Sequence, residues 1–239
     1  MKFLLIGQGK MGKLIASTAQ AAGDEIVAQF GRENLGNLAH TGKIADVVID
    51  FSGHETLPAV CEYIRRTGTP LVSGTTGYSA EEKAELERLG DSAAVLWSAN
   101  YSIGVAVFVR LLSQISDTLK PDFDIEMTET HHNQKADAPS GTAKLLLSAI
   151  DPKGENTPVY GREGNCGKRD AKEIGVFALR GGTVAGTHTV HFFGPDEELE
   201  ITHRAASRQI FVNGALTMAR RMAGQPNGLY DLQKILFGE

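Results

Sequence analysis

Over the first hundred residues, short apolar runs alternate with stretches in which apolar positions recur every three or four residues. Phe3 to Ile6, Glu25 to Phe30, Asp46 to Phe51, Pro70 to Ser73 and Ala93 to Trp97 read as strands. Helices are predicted up to about Ala22, from about Leu57 to Arg66, and from Ser79 to about Gly90. Ser79 and Glu82 have the spacing of a capping box, in which serine oxygen and glutamate each satisfy a free backbone N–H. Strands alternating with helices in this way predict a parallel sheet with helical crossovers.

After Asn100 the rhythm changes. A long apolar helix is predicted from about Ser102 to Leu119, followed by alternating strand-like residues at Asp124 to Thr128, Val176 to Leu179, Gly186 to Phe193 and Leu199 to Ala205. Helical spacing returns from Gln209 to Met222 and from Leu229 to Phe237, where the last helix is expected to pack on the first domain. Residues 151–172 are charged, contain glycine and show no period, so a mobile loop is expected. The expected class is therefore α/β: an N-terminal parallel sheet plus a C-terminal α+β domain with a mostly antiparallel or mixed sheet. The expected boundaries are 1–102, completed by 213–239, for the first domain and 103–212 for the second.

Composition narrows the partners more than the fold. With 239 residues, 41% hydrophobic and 22% charged, the chain can bury a sizeable core in one large or two modest domains. A formal charge of -5 gives no global attraction for nucleic acid or anionic lipid. Cys61 and Cys166 are the only cysteines and lack metal-ligand surroundings, so neither a disulfide scaffold nor a metal is expected, and a reducing compartment fits best. The apolar run Phe3 to Ile6 is too short for a signal-peptide core or a membrane span, which leads to the expectation of a cytoplasmic chain starting at Met1.

Gly7-Gln8-Gly9-Lys10-Met11-Gly12 places a G-x-G-x-x-G pattern between the first strand and the first helix, the context of a Rossmann dinucleotide fingerprint. Gly7 permits the tight turn, Gly9 lets backbone approach a pyrophosphate, and Gly12 lets the helix lie close to the strand, while the helix start offers free N–H groups to the anion. The same turn can also be built with no ligand. The second strand ends Gln29-Phe30-Gly31-Arg32-Glu33, where Arg32 can pair with a 2'-phosphate and Glu33 can reach a 2'-hydroxyl, so NADPH and NADH are both permitted.

A second concentration of chemistry lies at Met127 to Thr142. It holds His131, His132 and Lys135, then a Pro-Ser-Gly-Thr turn that opens a helix from Ala143 to Ile150. The hydroxyls of Ser140 and Thr142 and the N–H groups of Gly141 and Thr142 suit a carboxylate, although Ser140 would also serve as a plain helix cap. Lys135 adds positive charge or a proton. Adjacent His131 and His132 point to opposite faces of a strand, and His188 and His191 fail by the same parity, so neither pair is a good joint metal site.

These segments, with Asp50-Phe51-Ser52, Ser73-Gly74-Thr75-Thr76-Gly77, Glu129-Thr130-His131-His132-Asn133-Gln134-Lys135, Arg180-Gly181-Gly182 and Gly186-Thr187-His188, resemble the 4-hydroxy-tetrahydrodipicolinate reductases (dihydrodipicolinate reductases) of bacterial lysine and diaminopimelate biosynthesis. The resemblance covers nearly the whole chain. It implies a Rossmann domain, a C-terminal α+β domain whose sheet builds a homotetramer, NADPH or NADH as cofactor, and a small dicarboxylate substrate. It also implies that His131 and Lys135 exchange protons, that His132, Gly141 and Thr142 bind substrate alongside Ser140, and that Gly74, Thr75, Thr76, Ser98, Ala99, Asn100 and Tyr101 surround the nicotinamide. The chain departs from longer members in a glycine loop one residue shorter, in Gly31 where an acid often stands, and in Tyr101 for a common Phe. Another Rossmann dehydrogenase of small dicarboxylates or amino acids such as aspartate, and a nucleotide-binding protein without catalysis, are the competing readings.

Overall fold

A computed structural model describes residues 1–238 of the chain. It divides into two compact units, one formed by Met1–Ser102 together with the segment from Gln209 onward, the other by Ile103–Arg208. The first unit opens with β1 (Lys2–Ile6), α1 (Lys10–Ala21), β2 (Glu25–Phe30), β3 (Val47–Asp50), α2 (Leu57–Thr67), β4 (Leu71–Ser73), α3 (Ala80–Leu89) and β5 (Ala94–Trp97). Phe3 to Ile6 and Val47 to Asp50 are buried without a break, as a strand covered on both faces requires; hence Phe3 to Ile6 and Val47 to Ile49 read as apolar runs rather than alternations. The capping box at Ser79 and Glu82 is present in full.

The second unit contains α4 (Ile103–Leu119), β6 (Asp124–His131), α5 (Gly141–Ile150), β7 (Thr157–Val159), β8 (Glu173–Arg180), β9 (Gly186–Gly194) and β10 (Glu197–Ala205). Its sheet runs β10-β9-β6-β8-β7. β6 pairs antiparallel with β9, and β9 with β10, whereas β6 with β8 and β8 with β7 are parallel, so the sheet is evenly mixed. Phe108 and Leu112 of α4 and Leu146 and Ile150 of α5 share a core with Ile125, Met127, Val190 and Phe192 of the sheet. The stretch expected to be a mobile loop holds β7, which is too short for a period to show and carries Pro158 at a sheet edge, where a missing N–H costs no ladder bond. It is also anchored: Arg162 binds Glu126 and Glu173 at 2.9 and 3.1 Å, and Arg169 binds Asp124 at 2.6 Å and Glu126 at 2.9 Å.

The chain then returns to the first unit through α6 (Gln209–Met222), β11 (Gly228–Tyr230) and α7 (Leu232–Phe237). All of α6 belongs to that unit, so the return begins at Gln209 rather than at residue 213. The helical spacing from Leu229 to Phe237 divides in two: Gly228–Tyr230 extends the sheet beside β5, and Asp231 caps α7 by accepting from the Lys234 N–H. Gly214 lies so close to the Tyr101 carbonyl that a Cβ there would stand 1.7 Å from its oxygen. The completed sheet runs β11-β5-β4-β3-β1-β2 with every pairing parallel. Strand order reverses between β1 and β3, the point at which open α/β sheets bind ligands beyond their strand ends.

Candidate active site

Beyond β1, the glycine loop folds as the close packing of a strand and helix demands. Gly7 has φ +119°, and a Cβ there would meet the Phe51 carbonyl oxygen at 2.3 Å. Gly12 lies against the Gly7 carbonyl, where a Cβ would stand 2.1 Å from the oxygen. Gly9 is different: its Cβ direction is open, with nothing within 4 Å. It is the N-cap of α1, without a side-chain cap and without an acid in the first turn, so the first N–H groups of the helix are left for an outside acceptor. Lys10 is exposed and Met11 half-buried beside them.

A cavity of about 410 Å³ opens at this loop, at the reversal between β1 and β3, and its lining includes Gly7, Gln8, Gly9, Arg32, Ser52 and Glu55. Arg32 reaches across its rim to Glu55, with Nη2 and Nε 2.7 and 3.1 Å from the same carboxylate oxygen. The Gln8 side chain occupies the direction in which a side chain at Gly31 would project. The acid missing at Gly31 is thus matched by carboxylates from Glu33 and Glu55 on the same cavity. An open, uncapped helix start facing a cavity with one arginine fits a dinucleotide's pyrophosphate and adenosine ribose.

The loops after β3, β4 and β5 are tied together by Asp50. This fully buried carboxylate accepts hydrogen bonds from the hydroxyls of Ser52, Ser73 (3.0 Å) and Thr75 (2.9 Å). Burial is the largest influence on it and raises its pKa, although the hydroxyl donors oppose that shift. Thr75 is therefore turned inward, while Thr76 is exposed and Gly74 packs on the Phe51 ring. Trp97 donates to the Thr75 carbonyl at 2.8 Å, and Ser98 N–H donates to the Ser73 carbonyl at 3.1 Å. Ala99 is exposed, Ser98 and Asn100 are half-buried, and Tyr101 is buried, its hydroxyl donating to the Ser73 carbonyl at 2.7 Å. Thr75 and Tyr101 thus brace the loops whose neighbours stand at the surface.

In the second unit, β6 delivers Glu129 and His131 to the buried face, two residues apart on a strand and so on one side. Glu129 Oε1 accepts from the Ser140 N–H at 3.1 Å and from Arg180 at 3.0 Å, and its other oxygen lies against His131 Nδ1. Ser140 caps α5 by accepting from the Ala143 N–H, and its hydroxyl is 3.0 Å from His188 Nε2. It is buried and held by two contacts inside the protein, whereas Gly141 is exposed and Thr142 half-buried at the helix start. Lys135 pairs with Asp137 at 2.7 Å, and His132 is half-buried just past the end of β6.

Burial, the largest influence on Glu129, works against its charge, but Arg180, His131 and the Ser140 amide outweigh it and hold the pKa below the usual carboxylate range. Burial lowers the pKa of His131 against the pull of Glu129, and brings His188 down to about 4 with help from the His131 charge. Parity along one strand hid this cluster, because it is β6–β9 pairing that sets His188 opposite Glu129. Glu129, Arg180, His188, Asp50 and Glu55 were all absent from the expected site. All but Glu55 stand in the segments that carry the family resemblance, and Glu129 is also two residues from His131 on one strand.

Residues 1–101 match the family model described as "Dihydrodipicolinate reductase, N-terminus", and residues 104–236 match "Dihydrodipicolinate reductase, C-terminus". The chain belongs to the dihydrodipicolinate reductase family. Among the family's curated members, 4-hydroxy-tetrahydrodipicolinate reductase of Exiguobacterium sp. is 41% identical over 98% of this chain and 95% of its own length. That of Staphylococcus aureus strain N315 is 42% identical over 98% of this chain and all of its own length. A dipicolinate-bound dihydrodipicolinate reductase from Paenisporosarcina sp. TG-14 shares the fold with a TM-score of 0.78 at 20% identity, covering 98% of each chain. Among the described residues of this family member, no helix is long and apolar enough to cross a membrane.

Proposed function

We propose that the chain reduces 4-hydroxy-tetrahydrodipicolinate to tetrahydrodipicolinate in lysine and diaminopimelate biosynthesis, with NADPH or NADH as the reductant. The observation that carries this reading is identity above 40% to reductases of that name along nearly the whole chain, joined to a second unit that holds an imidazole, an ammonium and a helix start within one segment. A bound nicotinamide supplies the hydride; the chain supplies one proton, and the substrate hydroxyl leaves as water.

The first unit receives the nucleotide. The uncapped start of α1 donates N–H groups to the pyrophosphate, and Gly9 leaves room for it. Arg32 can turn from Glu55 to a 2'-phosphate, while the carboxylates of Glu33 and Glu55 can accept from a 2'-hydroxyl, which is why both cofactors suit this rim. Gly74, Thr76, Ser98, Ala99 and Asn100 flank the nicotinamide, braced by Thr75 and Tyr101.

The second unit receives the acid. N–H groups of Gly141 and Thr142 at the start of α5 bind a substrate carboxylate, and Lys135 and His132 add charge and hydrogen bonds. The Ser140 hydroxyl contributes indirectly, because it is committed to the Ala143 amide and His188. His131 or Lys135 delivers the proton that neutralises the negative charge left by hydride addition, a role worth about 100-fold or more in rate. A homotetramer in the cytoplasm belongs to the same reading, and light scattering tests the subunit number.

The decisive experiment is steady-state oxidation of NADPH and of NADH with freshly generated 4-hydroxy-tetrahydrodipicolinate, set beside oxaloacetate plus ammonia. Turnover with the cyclic acid alone is expected. Lys135→Ala should lower kcat strongly and leave nucleotide affinity unchanged.

A further inference from the structure

The buried face of β6 begins as an ordinary apolar row, Ile125 and Met127, and then becomes Glu129 and His131. A carboxylate in an apolar row is costly unless its charge is compensated. Arg180 and the Ser140 amide compensate one oxygen, both reaching Oε1. Oε2 forms a close ion-pair contact with His131 Nδ1, and apart from that contact neither atom has a hydrogen-bond partner among the described residues. The contact with His131 adds to that compensation, and seen from the ring's side it fixes which nitrogen faces inward. The other nitrogen of the ring, Nε2, faces Gly186, where a Cβ would come within 3.1 Å of it, so a glycine keeps that side of the ring uncrowded.

We infer that Glu129 is a positioning residue for proton transfer, its carboxylate fixing the His131 imidazole with Nδ1 inward and Nε2 presented for exchange. This rests on the proposed role of His131 as a proton carrier. The groups that face the ring are Glu129 on its own strand, Arg180 from β8, His188 from β9 and Lys135 from the following loop. Three of these are cationic or become so on protonation, and burial also disfavours the imidazolium. Glu129 is the one neighbour that favours it. A divalent cation among Glu129, His131 and His188, whose ligand atoms lie within 4.8 Å, would compete with Arg180 for the same carboxylate. Glu129 also binds the Ser140 amide, so the same side chain holds the substrate turn and the proton carrier in one frame.

The test compares pH profiles of kcat for the unaltered protein, Glu129→Gln, Glu129→Asp and His131→Gln, with nucleotide affinity measured in parallel. Glu129→Gln should lower kcat by about tenfold or more. It should also move the alkaline limb down by about one unit, because an opposite charge in contact is removed. Glu129→Asp should recover part of both, and nucleotide affinity should not change. A slow Glu129→Gln with an unmoved alkaline limb would overturn the inference, leaving Glu129 as a support for the Ser140 turn alone. Nitrogen-15 spectra of the unaltered protein give an answer that needs no variant: His131 should carry its neutral-state proton on Nδ1, and the opposite tautomer would refute the assignment. Full kcat in His131→Gln would instead remove the proposed role of His131 while the tautomer measurement still judged the contact with Glu129.

Discussion

Alanine at Gly9 and alanine at Gly12 should fail in opposite ways, although both glycines belong to one short loop. At Gly12 a methyl would stand 2.1 Å from the Gly7 carbonyl oxygen, where ordinary contact begins at 3.4 Å. The obstacle is backbone, so α1 must retreat from the β1 turn by roughly 1 Å, an overpacking strain of about 2 to 3 kcal/mol. At Gly9 the methyl would enter open space, and the residue's φ of -74° is one that alanine adopts freely. Folding should then be unchanged or improved by up to about 1 kcal/mol. The same methyl would occupy the space proposed for the pyrophosphate and cost about 2 kcal/mol of binding, roughly 30-fold in Kd. Urea unfolding and calorimetric titration with NADPH and NADH separate the two effects. Gly9→Ala should unfold like the parent and bind weakly, whereas Gly12→Ala should unfold early. Parental nucleotide affinity in Gly9→Ala would refute the assignment of that space to the pyrophosphate, and parental stability in Gly12→Ala would refute the packing argument.

Asp50→Ala should cost about 2 to 4 kcal/mol in urea unfolding, because it strands the buried hydroxyls of Ser73 and Thr75 and loosens the β4 loop; a loss below about 0.5 kcal/mol would show that those hydroxyls find other acceptors. His188 has a folded pKa of about 4 against 6.5 for the ordinary side chain, so the unfolded chain takes up the proton first. Stability from this group is therefore complete above about pH 6.5 and lost as pH falls towards 4, by up to about 3 kcal/mol, which thermal unfolding across that range will detect. Glu55→Gln frees Arg32 and should shift the kcat/KM ratio towards NADPH, by no more than about fivefold since the pair is exposed. A shift towards NADH would mean that Arg32 does not meet the 2'-phosphate.

Most of the framework was legible because its causes are local. Uninterrupted apolar runs at Phe3 to Ile6 and Val47 to Ile49 announce strands buried on both faces, and the Ser79–Glu82 box fixes a helix start without help from the rest of the chain. Gly7, Gly9 and Gly12 carried three separate steric reasons that their spacing already contained. What escaped was non-local. Three-residue strands such as Thr157–Val159 and Gly228–Tyr230 are too short for a period and form only because a neighbouring strand offers an edge. Glu55 meets Arg32 across 23 positions, His188 meets Ser140 across 48, and Arg180 meets Glu129 across 51. Register, not composition, decides those meetings. Ser140 shows the limit from the other side: its pattern suits both a ligand donor and a cap, and the structure shows the cap alone.

The return of the chain through Gln209–Met222 has a consequence for synthesis. Strands β1 to β5 emerge from the ribosome first, yet α6, which packs on β3, β4 and β5, and the final strand β11 follow only after the entire second unit has been made. Until then β3, β4 and β5 lack the cover of α6, whose Val212, Ala215, Leu216 and Met218 are buried in the finished unit. The nascent chain must therefore carry an unfinished first unit through the translation of a complete second one, so the first unit can close only once the last thirty or so residues are made.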